Sequence, residues 1–268
     1  MDRDPVVAGQ FYPGSRNQWE PMVRRYLQSG TPSAEHSILS MAPHAGYVYS
    51  GGIAGKTIKT ANPAPTVVML GPNHTGRGAS LALWARGVWN VPGAGLEIHE
   101  GLADTLLQEE MGVVEDYEAH LFEHSLEVMV PFLWAMDPQT RIVPISVSEH
   151  DPDTLIRVGE RLARVIDEHS GSVSILVSSD MSHYVSHDQA KSQDSEALNK
   201  ILDLDPRGLH ETVRRQNISM CGALPMTLGL AAALKLGAGK AELVGYTTSG
   251  EVSGDYAQVV GYAGVVVR

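Results

Sequence analysis

A single three-layer α/β/α domain around a largely parallel or mixed central sheet, spanning residues 1–268, is the fold this sequence predicts. Three observations predict it. Short β-branched and apolar runs, Ser37 to Ala42, Thr66 to Leu70 and Ser172 to Ser178, end at turn residues after lengths that suit strands buried on both faces. Helical periodicity separates them, most clearly where Asp151-Pro152-Asp153 opens a segment with Leu155, Val158, Leu162, Val165 and Ile166 on one face. Strands and helices alternate from end to end with no internal repeat, low-complexity segment or linker, the pattern of one layered domain.

In chain order, residues 4–14 read as irregular, with Phe11-Tyr12-Pro13-Gly14 as turn chemistry. Ser15 is placed to cap the helix that follows, with Gln18 three positions on, and Trp19, Met22, Val23, Tyr26 and Leu27 give that helix an apolar stripe. A strand ending at His44, a glycine-rich turn and a helix from Gly52 to Thr60 lead into the strand ending at His74, a strand-helix-strand unit. Residues 80–99 predict short strands or a hairpin, His99 to Met111 a helix, and residues 121–136 a second helix broken at Pro131. Arg141 to Val147 is a strand, and the amphipathic helix after it returns to the strand at Val173 to Val177. Gln189 to Leu202 and Asp205 to Gln216 form two helices. Cys221 to Leu236 is a buried helix, and Glu242 to Tyr246 and Ala257 to Val267 are closing strands.

Composition narrows the function. The 28.8 kDa chain is 43% hydrophobic, enough for a sizeable core. Its net charge of −11, from 20 Lys and Arg against 31 Asp and Glu, opposes nonspecific binding to nucleic acid, whose phosphates demand a basic face. No run approaches the ~18 apolar residues of a membrane span, and Met1-Asp2-Arg3-Asp4-Pro5 lacks the basic and apolar regions of a signal peptide. A cytoplasmic location is therefore expected. The one cysteine, Cys221, excludes an intrachain disulfide and fits a reducing compartment.

The candidate site lies where the strand runs stop. In open α/β sheets ligands collect beyond the carboxyl ends of strands, and there the chain presents Pro43-His44-Ala45-Gly46, Gly71-Pro72-Asn73-His74 and Ser178-Ser179-Asp180-Met181-Ser182-His183. Neutral imidazoles from separate strand ends suit zinc, copper or iron and leave coordination positions open; each His alternatively caps its loop. Cys221 stands where Ser219-Met220-Cys221-Gly222 enters an apolar helix, whose amides would stabilise a thiolate ligand or a reactive thiol; the alternative is a small buried hydrophobe. Asp180 and His183 have the spacing of a carboxylate orienting an imidazole, or of an acid/base pair beside a metal, unless Asp180 caps the next element. His120-Leu121-Phe122-Glu123-His124 matches H-x-x-E-H, a zinc-peptidase pattern with both His on zinc and Glu as general base. Glu123-His124-Ser125 can instead point into the cleft of His44 and His74. No Walker or dinucleotide fingerprint and no G-x-S-x-G elbow is present.

Pro43-His44-Ala45-Gly46-Tyr47, Leu70-Gly71-Pro72-Asn73-His74, Glu123-His124-Ser125-Leu126-Glu127, Ser178-Ser179-Asp180-Met181-Ser182-His183 and Cys221-Gly222 resemble, in order and spacing, the motifs of the Memo family. In prokaryotes this family is also called AmmeMemoRadiSam system protein B. The likeness runs from Val7-Ala8-Gly9-Gln10-Phe11-Tyr12-Pro13 to Tyr256-Ala257. It implies a fold like that of the class III extradiol dioxygenases, which are non-haem iron enzymes. It also implies that His44, His74 and Cys221 are metal ligands, that Asp180 and His183 are polar residues beside the metal, and that His124 lies in another shared motif. Those dioxygenases complete the iron site with a carboxylate where this chain offers a thiolate, a ligand that favours softer ions such as copper(I) or zinc.

The resulting expectation is one metal ion, iron or copper with zinc third, and oxidoreductase chemistry of a dioxygenase-like kind on a small molecule in the metal cleft, with His183 moving protons. Two rivals are a zinc hydrolase on His120, Glu123 and His124, and a non-enzymatic module that holds a peptide or partner in the same cleft. The prokaryotic family name further implies a functional link to radical-SAM and AMMECR-type proteins.

Overall fold

The computed structural model describes residues 1–268. Its first half contains Arg16–Leu27 (α1), Leu39–Ala42 (β1), Tyr47–Ala61 (α2), Thr66–Pro72 (β2), Leu81–Leu83 (β3), Val88–Val91 (β4), Ala94–Glu97 (β5), Glu100–Gln108 (α3) and Val114–Glu115 (β6). Then come Glu118–Leu121 (α4), Val130–Met136 (α5), Arg141–Val147 (β7), Pro152–Glu168 (α6), Val173–Ser178 (β8) and His183–Val185 (β9). His187–Leu202 (α7), Pro206–Gln216 (α8), Ala223–Lys235 (α9), Ala241–Thr248 (β10), Gly250–Ser253 (α10) and Val259–Val267 (β11) complete the chain.

Nine strands form one sheet in the order β10-β11-β1-β8-β2-β7-β3-β6, with β9 added to β11. The four central strands, β1, β8, β2 and β7, run parallel, and β11 and β3 flank them antiparallel. The sheet is mixed around a parallel centre. β1, β2 and nearly all of β8 and β7 are buried along their length, which is why they read as unbroken apolar runs rather than alternating ones. Helices α1, α2 and α5 pack together on one side and α6, α8 and α9 on the other, giving the α/β/α layers. α9, apolar all round and buried over most of its length, lies across β1, β2, β7 and β8, as a helix with no polar face must.

Local expectations changed at four points. α2 begins at Tyr47 rather than Gly52, because Gly51 and Gly55 are inside it: a Cβ at 51 would lie 2.6 Å from the Tyr26 ring and one at 55 2.5 Å from Tyr26 Cβ, so close packing of α1 on α2 overrides glycine's poor helix propensity. In place of the helix predicted over residues 121–136, α4 ends at Leu121, a loop follows, and a 3₁₀ turn over Glu127–Met129 leads into α5, with Pro131 in its first turn, where its missing N–H costs nothing. α3 stops at Gln108 instead of Met111, before Gly112 at φ +87°. Ser15 holds the cap position of α1, but its hydroxyl bonds the Asn17 and Gln18 side chains rather than a free amide.

Candidate metal centre

β1, β8 and β2 are parallel neighbours, and Ala42 pairs with Ser178 at their carboxyl ends. The residues just beyond those ends, His44, Asp180 and His74, therefore meet at one edge of the sheet. Cys221 joins them from the loop between α8 and α9. Gly222 makes this possible: its amide donates to Ser179 Oγ at 3.0 Å, and a Cβ there would collide with the Ser179 side chain and stand 2.7 Å from the Ser178 carbonyl. One ligand atom each from His44, His74 and Cys221 lies within 4.8 Å of the other two.

His44 is held from two sides. Its Nδ1 lies 2.7 Å from Ser178 Oγ, and Ser178 donates its only proton to the Ser125 carbonyl at 2.6 Å. Nδ1 must therefore be the protonated nitrogen, which leaves the Nε2 lone pair facing Cys221 Sγ at 3.3 Å. Burial, with His124 and His74 nearby, pushes the His44 pKa well below the ordinary value, so the ring is neutral.

Glu123 fixes His74. Its Oε1 accepts from His74 Nδ1 at 2.9 Å and from the Ser125 amide at 2.9 Å, while Oε2 accepts from the His74 amide. Burial opposes ionisation of Glu123, yet the hydrogen bond and charge of His74 outweigh it and hold the carboxyl at about 2. Burial likewise opposes a charged His74, and the Glu123 contact reverses this, placing His74 above its ordinary value. Glu123 also approaches His124 Nδ1 at 3.3 Å. The His124 ring stacks on His74, with centroids 4.7 Å apart, meets the edge of His44 at 5.3 Å and packs on Phe11 at 4.6 Å.

Asp180 and His183 share this neighbourhood without forming the pair their spacing predicted. Asp180 Oδ1 accepts from the backbone amides of His44 at 2.8 Å and Ala45 at 3.3 Å, pinning the loop after β1, and burial pushes its carboxyl up to about 6. His183 donates Nδ1–H to the Ser219 carbonyl at 2.9 Å, which leaves Nε2 unprotonated in the neutral ring. Cys221 differs from expectation as well. The amide reaching its sulfur, at 3.1 Å, belongs to Asp180 at the end of β8 and not to α9, and burial raises the thiol pKa rather than lowering it.

His120, by contrast, takes no part in the cluster. It is buried with Nε2 donating to the Ala82 carbonyl at 3.0 Å and its ring against Trp84 and Trp89. The H-x-x-E-H match therefore does not assemble a zinc site: its second and third chemical members sit in the centre and its first in the core.

Sequence reasoning missed the supports. Arg3, fully buried, donates Nε to the His120 carbonyl at 3.0 Å, Nη2 to the Glu123 carbonyl at 2.6 Å and Nη1 to Glu127 Oε2 at 2.9 Å. Glu127 also accepts from the Val6 and Val7 amides and from the Tyr12 hydroxyl. The N-terminal segment thus braces the loop that presents Glu123 and His124. A charged residue in an irregular N-terminus carries no signal of this; a buried Glu inside the shared Glu123-to-Glu127 motif was the available hint.

Fold and cluster define an α/β protein with two oriented imidazoles and a thiol gathered at the carboxyl edge of its parallel strands. A family model described as Memo-like protein matches residues 3–266. MEMO1 family proteins of Methanopyrus kandleri and Methanosarcina barkeri are each 40% identical to this chain, over 281 and 268 residues. The first alignment covers 100% of this chain and 99% of the relative, the second 99% and 100%. A MEMO1 family protein of Sulfurisphaera tokodaii is 35% identical, with 99% of both chains covered. The chain belongs to the Memo family. Among solved structures, an uncharacterized protein from Escherichia coli K12 matches with a TM-score of 0.46 at 16% identity, covering 75% of this chain and 86% of that one. No helix is long and apolar enough to cross a membrane.

Proposed function

We propose that this Memo-family chain holds one redox-capable metal ion, iron or copper with zinc as third candidate, on His44, His74 and Cys221, and acts oxidatively on a small substrate. The observation that carries this is the orientation of the two imidazoles: as each ligand atom converges with Cys221, the other ring nitrogen is already bonded, to Ser178 in His44 and to Glu123 in His74. Metal-binding histidines are fixed in this way. Two imidazoles and a thiolate suit copper, zinc and iron and leave positions open. A redox-capable ion bound there supplies electron exchange and coordination sites for a small ligand.

The chain's own groups handle protons and position. Binding requires Cys221 to lose a proton that burial holds tightly. Burial pushes the Asp180 carboxyl up to about 6, and His183 leaves Nε2 free to accept a proton in its neutral ring, so each is a separate proton-handling group beside the centre. Metal-loaded protein that consumes oxygen in the presence of a panel of small aromatic diols and monocarboxylates supports the oxidative reading; no oxygen uptake and no turnover with any of them defeats it.

A non-enzymatic module holding a peptide in the same cleft has one observation in its favour. Tyr49, Phe122 and Tyr184, each next to or near a cluster residue in sequence, are 41%, 60% and 76% exposed, and exposed aromatics are common anchors for partners. The zinc-hydrolase reading has none, since His120 is committed to Ala82.

A further inference from the structure

The carboxyl edge of the sheet does not end at the metal cluster. Past Cys221 it opens into a cleft of about 600 Å³ between the loop after β7 and the helices α8 and α9, with His150, Val213, Arg214 and Leu224 among its walls. That volume is typical of small-molecule sites. Two of its walls are joined, since His210 Nε2 donates to the His150 carbonyl at 3.1 Å and ties α8 to the β7 loop. Most of its lining is apolar.

Of its polar residues, His150, His210 and Arg214, the last carries the permanent charge. It lies exposed on α8 and makes none of the chain's ion pairs, although the chain has 31 acidic residues. A lone guanidinium beside an apolar cleft presents a planar fork that matches one carboxylate. A phosphate dianion would keep an unbalanced charge there, in a chain whose net charge is already −11.

We propose that this cleft is the substrate arm of the centre and takes a small monocarboxylate with an apolar body, the carboxylate on Arg214 and the body lying along Val213 and Leu224 toward Cys221. The proposal rests on the metal-centre reading, which would place the ion beside Cys221. It adds the substrate's charge, its polarity and the direction in which it lies.

The test uses the full chain and two probes of matched shape, 3-phenylpropionate and 3-phenylpropanol. In metal-free protein, 3-phenylpropionate shifts the methyl resonances of Val213 and Leu224 and binds about tenfold or more tighter than the alcohol, as expected for one charge-assisted pair. Arg214→Met, a change at an exposed position, removes that difference. Val213→Trp, which fills the cleft, removes binding of both probes. In protein loaded with cobalt(II), the thiolate-to-cobalt absorption moves when 3-phenylpropionate is added. Equal affinity for acid and alcohol, unchanged affinity in Arg214→Met, or a cobalt band untouched by the acid overturns the cleft proposal. Absence of any thiolate-to-cobalt band before the probe is added defeats the metal-centre reading instead.

Discussion

The Ser178 hydroxyl accepts the Nδ1 proton of His44 across 2.7 Å because its own proton is already given to the Ser125 carbonyl at 2.6 Å. One serine thereby selects the tautomer that aims Nε2 at Cys221. Ser178→Ala removes the selection without touching a ligand. Metal affinity is expected to fall about 10- to 100-fold in a chelator competition, the usual cost of losing a partner that orients a ligating histidine. An unchanged affinity would show that His44 needs no such support.

Glu123 makes a pH-dependent contribution. Its carboxyl is held at about 2 in the folded protein against an ordinary 4.5, so the folded state favours the charged form. The stabilisation is fully present above about pH 4.5 and is lost as pH falls toward 2. Denaturant unfolding should find wild type more stable than Glu123→Gln at pH 7, with the gap closing between pH 4.5 and 2. A constant gap over that range would contradict the assignment.

The buried pair Arg3–Glu127 braces the same loop, with both side chains essentially inaccessible. Removing Arg3 leaves the buried Glu127 charge without its counter-ion, at a cost of about 3–5 kcal/mol. Arg3→Ala should lower the unfolding free energy by that amount and, by freeing the carbonyls of His120 and Glu123, weaken metal binding as well. A surface-like effect below about 0.5 kcal/mol would exclude the brace.

His120→Ala separates the two metal readings. It leaves a cavity against Trp84 and Trp89 and takes one hydrogen bond from the Ala82 carbonyl, and a loss of about 2–5 kcal/mol is expected. Metal content should stay at the wild-type level. Loss of metal from a folded His120→Ala protein would revive the H-x-x-E-H site.

Much of this was legible in the sequence because buried parallel strands announce themselves as apolar runs, and the residue after each run is fixed in space by the strand itself. His44, His74 and Asp180 were found that way. Cys221 was not: a cysteine before an apolar helix looks like core, and only the family resemblance marked it as a ligand. Distance in sequence hid the rest. Nothing near Ser178 says that its hydroxyl joins His44 to Ser125, and nothing near Arg3 says that it is buried against residues 120–127. Asp180 and His183 show the opposite failure, since a spacing suited to pairing was overruled by nearer partners, the His44 amide for one and Ser219 for the other. Gly51 and Gly55 misplaced the start of α2 for a comparable reason, their role being contact with Tyr26 and not chain flexibility.

The central claim is the three-residue centre, and elemental analysis of purified, metal-reconstituted His44→Ala, His74→Ala and Cys221→Ser tests it most directly. Wild type should hold about one ion per chain, the stoichiometry of a single His, His, Cys site. Each folded variant should hold far less. Undiminished metal in all three would contradict the account.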